Sequence, residues 1–138
     1  EPLVDTVELR SVVCDPAHLM HLNLMTVKKE DLSFKTPFRL HVTRNDYVHA
    51  FLGWFDIGFE ACHKPVRFST GPHSRYTHWK QTVFYTPSNL TVSQGDVIEG
   101  TLSCMPNARN NRDLDISITY KLEGANPAEG SMDYKMYV

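Results

Sequence analysis

Residues 75–85, RYTHWKQTVFY, bring five aromatic or imidazole rings and two cations into eleven positions. Its second half alternates as a strand does, Val83 and Tyr85 on one face and Thr82 and Phe84 on the other. Its first half does not alternate and sets Thr77, His78 and Trp79 side by side, shortly after the turn signal Gly71-Pro72. An imidazole beside an indole and a hydroxyl can hold a carboxylate, relay a proton or wall a pocket against water. The same residues also suit a loop at a strand's start, its Trp capping the fold and its His solvated. Residue types and spacing alone leave both readings open.

Other groupings carry less. Cys62, His63, His73 and His78 lie within seventeen residues, but Cys62 and His63 are neighbours whose side chains would oppose each other on a strand, whereas a structural zinc site wants tight pairs from two hairpins. Metal binding is not expected, and surface histidine is the better account of the seven present. Ser74 and Thr77 lie near His73 and His78, yet no Gly-x-Ser-x-Gly elbow makes either a nucleophile. Gly53 and Gly58 sit inside a strand pattern and not at a strand-to-helix turn, so no site for a nucleotide-type cofactor is expected. Trp54 and Trp79 could stack on a sugar, which keeps a freestanding β-sandwich binding sugars or peptides as an alternative. Trp54, in the most apolar stretch, reads as core.

With 138 residues, 41% of them apolar and 22% charged, the chain suits one folded domain. A net charge of −2 gives no bulk attraction to nucleic acid or an anionic membrane. No apolar run reaches the roughly 20 residues of a spanning helix. Cys14, Cys62 and Cys104 are odd in number and far apart, which favours a reducing, intracellular setting over a disulfide framework. Asn89-Leu90-Thr91 matches a glycosylation sequon that matters only on a secretory route. The start at Glu1-Pro2 reads as a piece of a longer polypeptide.

The elements that must position the triplet are mostly strands. Residues 1–13 suit a short helix, with Asp5 as cap and Glu8 three positions later. Period two then dominates. It runs through Met20–Leu24, Leu32–Phe34, Phe38–Val42, the nearly all-apolar 47–60, Leu90–Val92, Val97–Met105 and Leu114–Leu122. Gln94-Gly95-Asp96 is a turn, Pro106–Asp113 a polar hairpin loop, and Tyr134–Tyr137 a clip back onto the body. The fold class expected is all-β, an antiparallel β-barrel or sandwich with one short N-terminal helix.

The segments EPLVD, PFRLHVTRNDYVHAFLGWFDIGF, FSTGPHSRYTHWKQTVFY, SQGDVIEGTLSCMPNARNNRDLDISITY and DYKMY carry a resemblance across essentially the whole chain. Together they resemble the C-terminal β-barrel half of type I protein arginine methyltransferases, most closely the predominant type I enzyme of animals and fungi. The tail GANPAEGSM departs from that pattern. Thr77, His78 and Trp79 match the family's THW loop.

The resemblance implies a two-part enzyme. A Rossmann-like domain, absent from this chain, would bind S-adenosylmethionine and carry two glutamates. Residues 1–16 would close a dimerisation arm with its short helix, and 17–138 would form the barrel. By the same resemblance, His78 pairs with an aspartate of the absent domain in a supporting catalytic role, while Thr77, Trp79 and Tyr76 bind substrate. Implied partners are Arg/Gly-rich proteins and histones as substrates and a second subunit in a homodimer, with neither nucleic acid nor membrane, in nucleus and cytoplasm. Without the donor domain, this chain alone would bind no cofactor and transfer no methyl group.

Overall fold

Alternating apolar and polar residues turn about half of the chain into strands, seen here in a computed structural model that describes residues 1–137. Nine strands follow in order: β1 (Leu3–Asp5), β2 (Phe34–His41), β3 (Asp46–Gly53), β4 (Asp56–Phe59), β5 (Val66–Ser69), β6 (Gln81–Val92), β7 (Val97–Pro106), β8 (Leu114–Glu123) and β9 (Ala128–Met136). They form sheets ordered β1-β6-β3, β2-β7-β8-β9 and β4-β5. The chain divides into two compact units. One comprises Glu1, Val13–His49 and the chain from Thr86 onward; the other comprises Pro2–Val12 and Ala50–Tyr85.

The first unit holds the four-stranded antiparallel sheet. Its inward residues include Ile98, Ile118 and Leu122, each at most 1% exposed. One cross-strand row reads Phe38, Gly100, Tyr120, Gly130, so a large ring alternates with a glycine. A Cβ on Gly100 would collide with the Phe38 ring and the Thr119 carbonyl, and one on Gly130 with the Tyr120 ring. The glycines leave room for the two rings to lie over neighbouring strands. The outward row Arg39, Glu99, Lys121, Glu129 alternates in charge across the same strands, as suits a solvated face. The turn into β7 closes when the Asp96 carboxylate accepts the Ser93 N–H at 2.9 Å, and Gly95 takes φ +90.

The all-β expectation holds, and most local departures from it arise where a distant partner or a side chain outcompetes local pattern. Residues 1–13 do not form the expected helix. Leu3–Asp5 pairs with Val83–Gln81, and only Leu9–Ser11 makes a single 3₁₀ turn. Val4, Thr6, Val7, Val12 and Val13 are β-branched and favour this outcome. Asp5 caps nothing helical, since its carboxylate accepts the N–H of the adjacent Thr6.

Met20–Leu24 is not a strand. Asn23 instead closes a turn, its side-chain oxygen taking the Met25 N–H at 3.0 Å and its carbonyl the Val27 N–H at 2.8 Å. Lys29–Leu32 forms a second 3₁₀ turn, so the strand expected from Leu32 starts at Phe34. Residues 47–60 make two strands broken at Trp54-Phe55. The expected clip at Tyr134–Tyr137 is a full strand, Ala128–Met136.

Candidate functional site

The triplet lies in the second unit, on the loop between β5 and β6. Both ends of that loop are buried and polar: Thr70 is 1% exposed and Gln81 7%. Thr70 grips the break between β3 and β4. Its N–H and its hydroxyl both donate to the Phe55 carbonyl, at 2.9 and 2.7 Å, and its hydroxyl accepts the Phe55 N–H at 3.1 Å. Gln81 joins three segments. Its amide nitrogen donates to the Thr70 carbonyl at 2.7 Å, and its amide oxygen accepts the Val7 N–H at 2.8 Å. Buried and hydrogen-bonded, this chain fixes where the loop leaves and where it returns.

Between those ends the loop packs by its rings. Gly71 is buried, and a Cβ there would meet Trp54 Nε1 and His73 Cε1, both at 2.7 Å. Only glycine lets the backbone approach that closely. Trp54 and His73 sit edge to face with centroids 6.0 Å apart. Trp54 is thus not the strand-core residue expected from sequence; it lies in the gap between β3 and β4 and props the start of the loop.

Thr77 to Lys80 form a tight turn, the Lys80 N–H donating to the Thr77 carbonyl at 3.1 Å. Lys80 has φ +55, the one non-glycine residue with positive φ among those described. Trp79 stacks on Phe68 at 5.9 Å and meets Phe55 edge-on at 6.0 Å, yet stays 45% exposed. His78 is exposed, its ring 4.1 Å from that of Trp79. Tyr76 is 69% exposed. Thr77 is half-buried, and its hydroxyl is fully buried without a hydrogen-bond partner.

The turn therefore presents an imidazole and one indole face outward from a pinned base. Its chemistry is to orient an acidic group by the imidazole and to wall a flat cationic or apolar group by the indole. Thr70, Gly71, Gln81 and Trp54 were missed as parts of the site. The pairing of Thr70 with Gln81 has no local signature, since the two side chains meet only through the fold.

The remaining groups lie elsewhere. Among the described residues, no three His, Cys, Asp or Glu side chains converge as a metal set. All three cysteines are free thiols. Burial, and then Asp15, push the Cys14 thiol up to about 11, and burial also raises Cys104. A groove of about 330 Å³ is lined by Asp115, Ser117, Asp133 and Lys135 on the polar sheet face and contains none of residues 70–81. The triplet, with His78, Trp79 and Tyr76 exposed, is a surface turn.

Comparison with known proteins decides the family. Residues 1–125 match the model of the arginine methyltransferase oligomerization subdomain. The chain belongs to the arginine methyltransferases. It is 54% identical over 140 residues to protein arginine N-methyltransferase 1 of Schizosaccharomyces pombe, covering 99% of this chain and 41% of that protein. It is 47% identical over 137 residues to the protein of the same name in Chlamydomonas reinhardtii, covering 99% and 40%. The chain thus spans about two fifths of the length of these curated relatives.

Among solved structures, a chain of the Trypanosoma brucei PRMT1 enzyme–prozyme heterotetrameric complex with AdoHcy superposes with TM-score 0.93 at 40% identity, covering 99% of this chain and 44% of that one. Arabidopsis thaliana protein arginine methyltransferase 10 shares the fold with TM-score 0.91 at 18% identity. Membership of the arginine methyltransferases displaces the sugar- or peptide-binding alternative.

Proposed function

We propose that this chain is the substrate-side β-barrel of an S-adenosylmethionine-dependent protein arginine N-methyltransferase that makes asymmetric dimethylarginine. Family membership over nearly the whole chain carries the reading, and it is supported by a Thr-His-Trp turn that presents its imidazole from a buried, hydrogen-bonded base. The donor does not fit this chain: its described helices are two single 3₁₀ turns, with no strand-to-helix turn to cradle an adenosyl group. S-adenosylmethionine would supply the methyl group from the remainder of the full-length protein.

What this chain contributes is placement. A guanidinium is a weak nucleophile because its charge is spread over three nitrogens. Carboxylates gripping two of them draw that charge away from the third. His78 orients those carboxylates through an aspartate of the other domain and takes part in removing the released proton. Trp79, its back held by Phe68, walls the arginine channel against water and keeps the attacking nitrogen aligned. Tyr76 lines the channel mouth.

In this reading residues 1–16 close a dimerisation arm, the full-length protein is a homodimer, and its substrates are Arg/Gly-rich proteins and histones in nucleus and cytoplasm. The test is methyl transfer by the full-length protein from labelled S-adenosylmethionine to an Arg/Gly-rich peptide. Mono- and asymmetric dimethylarginine are expected. No product, or symmetric dimethylarginine alone, would overturn the reading.

A further inference from the structure

The four-stranded sheet ends on β2 at one side and on β9 at the other, and the two edges differ. Residues 13–19 cover the β2 edge. The Asp15 N–H donates to the His41 carbonyl at 3.0 Å, the Thr43 N–H to the Val13 carbonyl at 2.8 Å, and the Thr36 hydroxyl to the Leu19 carbonyl at 3.1 Å. β9 pairs with β8 on one side and has no partner strand on the other, and among the described residues no loop or turn supplies its backbone there. Its nine residues, AEGSMDYKM, contain no proline and keep register with β8 throughout, so no bulge bends the edge away. Such an edge is a template for a further strand.

The side chains of β9 select that strand. Antiparallel pairing with β9 of a second copy, centred on Met132, sets Glu129 opposite Lys135, Ser131 opposite Asp133 and Gly130 opposite Tyr134, each twice by symmetry. On the outward face, the row Arg39, Glu99, Lys121, Glu129 then continues to Lys135 of the second copy, and charge alternates unbroken across the contact. On the inward face, the row Phe38, Gly100, Tyr120, Gly130 continues to Tyr134 of the second copy, again a ring after a glycine. Neighbouring registers lose this match. Centring on Ser131 sets Glu129 against Asp133, and centring on Asp133 sets that carboxylate against itself.

We propose that the outer edge of β9 is a self-association surface, on which two copies of this chain pair antiparallel about Met132 and join their four-stranded sheets into one. The same patch serves both partners, so the contact closes after two copies. It does not involve residues 1–16, and it does not depend on the methyltransferase reading.

The test uses the full-length protein carrying Glu129→Lys or Lys135→Glu, both at exposed positions, with mass followed by light scattering against concentration. Wild type should gain mass in a concentration-dependent step that weakens with added salt. Either variant alone sets like charges opposite each other at both ends of the contact and should weaken that step about tenfold. A 1:1 mixture of the two variants restores opposite charges at both ends and should associate as wild type does. Within one chain Glu129 stands opposite Lys121 and Lys135 opposite Asp115, so each variant also disturbs its own sheet. Mixing leaves that disturbance in place, and recovery therefore reports the contact between chains.

Equal mass in wild type and both variants at every concentration overturns the inference; this is also the result expected if the remainder of the full-length protein covers the edge. A mixture no heavier than the variants alone overturns it as well.

Discussion

Replacing Gln81 by leucine tests the idea that a buried amide holds the triplet's base. The side chain is 7% exposed and makes two short bonds, 2.7 Å to the Thr70 carbonyl and 2.8 Å from the Val7 N–H. Leucine removes both and strands two backbone groups, each worth about 1–3 kcal/mol when unpaired and buried. Val7 is only half-buried, so water reaches part of its amide. The loss for Gln81→Leu should therefore be about 2–4 kcal/mol.

Thr70→Val is the control. The Phe55 carbonyl keeps its bond from the Thr70 N–H at 2.9 Å, so this change orphans only the Phe55 N–H, at a cost of about 1–2 kcal/mol. Urea unfolding followed by tryptophan fluorescence measures both, since the chain's two tryptophans, Trp54 and Trp79, flank this loop. Gln81→Leu costing no more than Thr70→Val would refute the reasoning.

Gly71→Ala should push aside Trp54 and His73, which a Cβ would meet at 2.7 Å, and cost about 1–3 kcal/mol as overpacking, visible as a changed near-ultraviolet circular dichroism spectrum. Among the thiols, exposed Cys62 should react with a disulfide reagent first, with Cys14 and Cys104 much slower; equal rates would contradict their burial. The Cys14 thiol titrates near 11 in the fold, above its ordinary value of 9.0. The folded state thus holds this proton more tightly, so the associated stability is intact below pH 9 and falls as pH rises from 9 towards 11. Cys14→Ala should flatten that part of a stability-against-pH curve.

Much of the sheet was legible because its pattern is local. Leu114–Leu122 alternates in sequence and in burial as β8, and the segments expected at Leu32–Phe34 and Phe38–Val42 join through Lys35–Pro37 into the single strand β2. The first residues misled because their partner strand lies far along the chain: Val7 meets Gln81 across 74 positions, and no window of thirteen residues contains that pairing. At Met20–Leu24 the alternation was genuine, but the Asn23 side chain and carbonyl satisfied the following amides and left no ladder to form.

The same limit applies to the site. His78 and Trp79 stood out by type, and the resemblance supplied their setting. The Thr70–Gln81 base did not stand out, and Gly71 read only as part of a turn signal, because their packing roles exist only once β4, β5 and β6 are assembled. The orphaned Thr77 hydroxyl has no sequence signature at all.

The most direct measurement of the central claim is steady-state methyl transfer by the full-length enzyme carrying His78→Ala, with donor affinity measured in parallel. If the imidazole on this turn orients the groups that hold the substrate guanidinium, turnover should fall by about 10²-fold or more while donor affinity stays near wild type. Turnover equal to wild type would remove His78 from the mechanism.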